Sequence, residues 1–111
     1  MARVDTYREI VKEVLTEYSE NAPFFGVENQ LIFDSDHDHY QLAKVGWVGQ
    51  KRYFGSVIHM DIKGGKVWIQ HDGTEHGVAN DLLERGIPKE DIVLGFHHPF
   101  QRQLGDFAVG E

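Results

Sequence analysis

The stretch from Tyr53 to Ala79, YFGSVIHMDIKGGKVWIQHDGTEHGVA, decides the fold. Two apolar, β-branched runs flank Gly64-Gly65. Such a pair favours a two-residue hairpin turn, because glycine reaches positive φ without a Cβ clash. With that turn Lys63 pairs with Lys66, Ile62 with Val67, Met60 with Ile69 and Ile58 with His71. Side chains alternate along a strand, so the last three pairs lie on one largely apolar face. Asp61/Trp68 and His59/Gln70 fall on the other. After His71 comes Asp72-Gly73-Thr74-Glu75, turn chemistry in which Asp72 or Thr74 is able to cap a following helix.

Working outward, Val4, Tyr7, Ile10, Val11, Val14, Leu15 and Tyr18 recur at helical spacing, and predict an amphipathic helix over 3–20 that packs on the core. Asn21-Ala22-Pro23 would end it, since the residue before a proline avoids helical backbone. Short strands are expected near 30–34, 40–48, 52–62 and 66–71. A turn at Gly49-Gln50 pairs Trp47 with Arg52, Val45 with Phe54 and Ala43 with Ser56. The strict alternation then places Ala43, Val45, Trp47, Phe54, Ile58, Met60, Ile62, Val67 and Ile69 on the core face. A second helix is expected over 75–85, stopped by Gly86. Next come a turn with Pro88 at a first helical position, a short apolar run over 92–96 that reads as a strand or a packed extended segment, and an irregular tail in which Phe107, Ala108 and Val109 are candidates for docking. The fold class is α+β: an antiparallel meander of about four strands, flanked by an N-terminal helix and a helix after the central hairpin.

The opposite sheet face is not cleanly polar. It carries Leu42, Tyr53, Val57 and Trp68 among His59 and Asp61. A one-sided antiparallel sheet alternates apolar-in and polar-out, so this second face needs cover. An oligomer interface and the C-terminal segment folding back both supply it, with nothing in the sequence to favour either.

Composition narrows the function classes. A chain of 111 residues forms one domain, here residues 1–111, and buries roughly two-thirds of its unfolded surface. It has no cysteine, which excludes disulfides and thiolate metal sites. The charged N-terminus has no apolar leader, and no apolar run approaches membrane-spanning length, so a soluble, cytoplasmic protein with no membrane partner is the expectation. The formal net charge is −7, with 18 acidic against 11 basic residues, which opposes independent nucleic-acid binding.

Seven histidines raise metal chemistry. His37-Asp38-His39 and His97-His98 offer ligands, but residues two apart chelate together only on a strand, and no HExxH spacing occurs. A solvated polar loop is the preferred reading, and no metal or cofactor is expected. His59 with Asp61, and His71 with Asp72, resemble a general base and its orienter, yet no nucleophile accompanies them: by alternation Ser56 faces the other way. No catalytic residue is assigned.

Tyr40-Gln41-Leu42, Val45-Gly46-Trp47, His59-Met60-Asp61-Ile62, Lys66-Val67-Trp68-Ile69-Gln70, Asp72-Gly73-Thr74-Glu75 and the run from Gly86 to Phe96 together resemble the XisI family, the fdxN-element excision controlling factors. The resemblance extends from Asp5-Thr6-Tyr7 to Phe107-Ala108, and the His37-Asp38-His39 loop matches it least. It implies a link to controlled excision of a DNA element in heterocyst-forming bacteria. In that process a separate site-specific recombinase cuts and joins, and a XisH-like protein, itself similar to nuclease-type folds, accompanies the XisI-like one. The family offers no catalytic residues to carry over. The expected function is therefore a non-enzymatic accessory protein acting through contact with a XisH-like partner, with Leu42, Tyr53, Val57 and Trp68 at the interface. A homo-oligomer and indirect association with recombinase and DNA are also expected. The alternatives are a DNA-binding excision factor (a recombination directionality factor), and a small metal-dependent hydrolase using His59, Asp61, His71 and Asp72.

Overall fold

The computed structural model describes residues 3–20 and 25–110. Helix α1 spans Arg3–Glu20, as the periodicity predicts, and buries Tyr7, Val11, Val14 and Leu15. The expected stop at Asn21-Ala22-Pro23 lies outside the described residues. Strands β1 (Val27–Asp34), β2 (His39–Val48), β3 (Lys51–Lys63) and β4 (Lys66–Asp72) form the expected antiparallel meander. Gly64 and Gly65 take φ of 61° and 77°. Two consecutive positive φ values make the type I′ turn whose twist matches a hairpin.

Several elements differ from expectation, beginning with β1, which starts at Val27 and not near residue 30. Helix α2 covers only Val78–Glu84, because Gly77 sits at φ 87° and keeps the preceding residues in a turn. Gly77, not Asp72 or Thr74, is therefore the cap residue, although Asp72 Oδ2 accepts from the first helical amide, Val78, at 2.8 Å, and Thr74 Oγ1 accepts from the Gly77 amide at 3.1 Å. Pro88 precedes the helical turn Lys89–Asp91 as its cap instead of opening it. The apolar run after it supplies a fifth strand, β5 (Ile92–Leu94), parallel to β4. The sheet order is β1-β2-β3-β4-β5. A short helix α3 (Pro99–Arg102) lies in the tail, and Ala108 bridges to Val93. Among the described residues no helix is long and apolar enough to cross a membrane.

The core lies between one sheet face and helices α1 and α2. Tyr40, Leu42, Ile58, Met60, Ile62, Val67 and Ile69 from the sheet meet Val11, Val14, Leu15, Val78 and Leu82 from the helices. Tyr7 donates to the buried Asp91 carboxylate, and burial, reinforced by this contact, raises the tyrosine pKa to about 12. Tyr18 reaches Asp81 on α2 at 2.6 Å. The β1–β2 loop is not free in solvent. Asp38 receives both Arg8 Nε (2.8 Å) and Nη2 (3.0 Å), as well as the Tyr40 hydroxyl (2.7 Å). The Arg8 guanidinium first, then the Tyr40 hydroxyl, hold Asp38 below the usual carboxylate pKa, outweighing burial.

At the far end of β1 the backbones come close. A Cβ on Gly46 would lie 2.1 Å from the Gly26 carbonyl oxygen and 2.7 Å from Val27 Cα. Gly46→Ala is therefore expected to push β1 off β2 and to cost about 1–3 kcal/mol. Urea unfolding measures it, and a loss below about 0.5 kcal/mol would mean that the strands do not approach this closely.

Candidate functional site

The strict alternation assumed from the sequence fails at one residue. Leu42 pairs with Ile58, but Ala43 pairs with Ser56, leaving Val57 as a bulge in β3. A bulge reverses which face each later side chain takes. The turn-proximal pairs Trp47/Arg52, Val45/Phe54 and Ala43/Ser56 have the expected register but lie on the opposite face from the core. Trp47 is 55% and Phe54 74% exposed, not inward. Leu42, expected on the second face, is 3% exposed inside the core. Val57 packs half-buried against the core, and Tyr53 lines the same surface depression as Val57. Only Trp68 of the four expected interface residues lies on the open face. The signal available in sequence was Gly55, since a glycine inside a strand marks a bulge. A second irregularity leaves Gln70 unpaired, so Ile58 faces Asp72 in place of His71.

Three features share the open face. The first is aromatic. The Arg52 guanidinium carbon lies 5.3 Å from the ring centres of both Trp47 and Phe54, and half-buried Val45 sits beside them. The second is Trp68, which the C-terminal segment covers. Lys63 Nζ stands 4.1 Å from its ring centre, Arg102 approaches to 5.3 Å, and a Cβ on Gly110 would meet the ring at 2.6 Å. The tail thus covers the Trp68 end and leaves the Trp47/Phe54 end bare. Removing the indole removes the platform for Arg102 and Gly110. Trp68→Ala is expected to speed tryptic cleavage after Arg102 by roughly tenfold, equivalent to about 1.4 kcal/mol of docking. An unchanged cleavage rate would show that the tail docks without Trp68.

The third feature joins His39, His59 and Asp61. His39 Nδ1 and His59 Nε2 each lie 2.8 Å from Asp61 Oδ1, and Gln70 Nε2 lies 3.2 Å from Oδ2. Burial alone would raise the Asp61 pKa. The hydrogen bonds from His39 and His59 reverse that, and Asp61 falls below the usual carboxylate range. The bond to Asp61 raises His39 above the ordinary imidazole value, against a smaller effect of burial. Pairing His59 with Asp61 was legible from the strand period. Recruiting His39 was not, because without the Val57 bulge His39 would face Met60 on the other side. His37 turns instead to Asp34 at 2.9 Å. Asp72 is occupied by the Thr74 hydroxyl and the Val78 amide, so it does not form a dyad with His71.

A model of the XisI protein family matches residues 1–109. The chain belongs to the XisI family. A XisI-like protein from Anabaena variabilis, solved by crystallography, is similar to it at 44% identity and a TM-score of 0.91, over 98% of this chain and 100% of that one. The fdxN element excision controlling factor XisI from the same organism is similar at 35% identity and a TM-score of 0.83, over the same shares. No curated protein matches. The fold of this chain is α+β with a sheet of five strands, one more than the meander expected from the sequence.

Proposed function

We propose that this XisI-family protein is a non-enzymatic accessory factor that controls excision of a DNA element by binding a XisH-like protein. One of its relatives is named an fdxN element excision controlling factor, which supports the process. The Trp47-Arg52-Phe54 ladder supports the mode of action. A phenylalanine 74% exposed on a rigid strand forgoes most of the roughly 1.5–3 kcal/mol that its burial releases. Tryptophan and arginine dominate the residues that carry protein–protein binding energy, and the centres of such interfaces are aromatic. The formal charge of −7 favours a protein partner over phosphate. The interface is thus the turn-proximal half of the open face, with Trp68 at its margin. Leu42 is not part of it, being sealed in the core.

Co-expression with a XisH-like protein, followed by size exclusion with light scattering, tests this reading. A stable mixed complex is the expected result. A mixture that runs as two separate species, each at its own mass, would overturn it. A homodimer of this chain with no mixed complex would assign the same face to self-association.

A further inference from the structure

We propose that His39, His59 and Asp61 form a binding site for a single divalent transition-metal ion of the Zn2+ class, on the polar half of the open face. Three donors of suitable type converge there. Their ligating atoms all lie within 4.8 Å of one another. Metal–nitrogen and metal–oxygen bonds of about 2.0–2.2 Å in a tetrahedral site put neighbouring donors roughly 3.3–3.5 Å apart. Each imidazole already sits 2.8 Å from Asp61 Oδ1, so that spacing must open by about half an ångström, and the two rings must draw together. Both adjustments are small rotations of side chains on adjacent strands, since His39 pairs directly with Asp61.

The surroundings fit a ligand set. The Asp61 side chain is 13% exposed and fixed through its second oxygen by Gln70. A hydrogen bond of that kind orients a ligating carboxylate. The His39 side chain is 56% exposed and His59 32%, which leaves an outer side for the ion to enter and for a fourth ligand from water or a docked partner. Two neutral imidazoles and one carboxylate carry a charge of −1 toward a dication. Imidazole suits zinc, copper and nickel, and zinc accepts a tetrahedral site with one open position. The other described His–carboxylate contacts differ in kind. His37 with Asp34 and His76 with Asp81 each bring a single imidazole to a carboxylate.

Untagged protein, stripped with chelator and titrated with Zn2+ by calorimetry, tests the site directly. One equivalent of Zn2+ is expected to bind. His39→Gln, a change at an exposed side chain, is expected to weaken binding at least tenfold, as is His59→Gln. Gln70→Leu is expected to weaken it by roughly tenfold with the stoichiometry kept. His37→Gln is expected to leave affinity unchanged. Cobalt absorption provides a second readout: an intense visible band of a four-coordinate ion in the wild type, lost in His39→Gln. Wild-type protein that takes up no Zn2+ would overturn the site and leave the three residues a hydrogen-bonded cluster. Binding that survives His39→Gln, or that falls equally with His37→Gln, would overturn it too. None of these outcomes depends on the XisH-like partner.

Discussion

Ile58→Ala is expected to cost about 2–5 kcal/mol of stability, whereas Phe54→Ala, on the same strand, is expected to cost under about 1 kcal/mol. Ile58 is fully buried between β2, β4 and the helices, so truncation removes its apolar contacts and leaves a cavity. Phe54 has little to lose, being 74% exposed. Alanine carries the same β-propensity penalty at either strand position to first order, so the difference isolates burial. Against a total stability of roughly 5–15 kcal/mol, Ile58→Ala consumes a large share and lowers the melting temperature by roughly 10 °C or more. Urea denaturation followed by circular dichroism reads both variants. Equal losses would mean that strand β3 runs without a bulge and that both side chains face inward.

That pair of variants marks where the sequence stops being legible. Helix α1, the Gly64-Gly65 turn and the Trp47/Arg52 register are each set by neighbours within a few residues, and each was readable. Facing is different, because it is a count carried along the strand. One extra residue at Val57 turns every side chain between Ala43 and Phe54 to the other face, and nothing in the apolar pattern records it apart from Gly55. The same residue buries Leu42, exposes the aromatic ladder and brings His39 to Asp61. The expected grouping of four apolar side chains on a second face failed for this reason: Leu42 is sealed in the core, and of the four only Trp68 lies on the open face, where the C-terminal segment covers it. Strand β5 was legible only in part: the apolar run over 92–96 reads as a strand or a packed extended segment, but its place in the sheet does not follow from it. It is three residues long, and its parallel pairing with β4 across α2 is a contact between distant segments that no local period announces.

The double variant Trp47→Thr with Phe54→Thr is expected to weaken association with the proposed XisH-like partner by at least a hundredfold, while its stability stays within about 1 kcal/mol of wild type. Threonine keeps the β-branched preference of the strand, so the change removes contact area and not backbone order. Residues that anchor an interface commonly cost 2 kcal/mol or more each when truncated, and two of them exceed the roughly 2.7 kcal/mol that a hundredfold requires. The variant also removes both rings that flank Arg52, which frees that guanidinium to solvent. Calorimetric titration of the purified partners gives the affinity. A hundredfold loss with an unfolded variant would say nothing of contact, so circular dichroism and the melting temperature are recorded on the same preparation.

Hydroxyl-radical footprinting of the purified mixed complex, read by mass spectrometry at single residues, tests most directly whether the open face is the binding surface. Trp47 and Phe54 are exposed and aromatic, hence readily labelled in the free protein. Labelling at both is expected to fall severalfold in the complex, with Phe100 and Leu104, exposed on the C-terminal segment, labelled as before. Unchanged labelling at Trp47 and Phe54, with protection appearing on the tail or on helix α1 instead, would contradict an interface on this face.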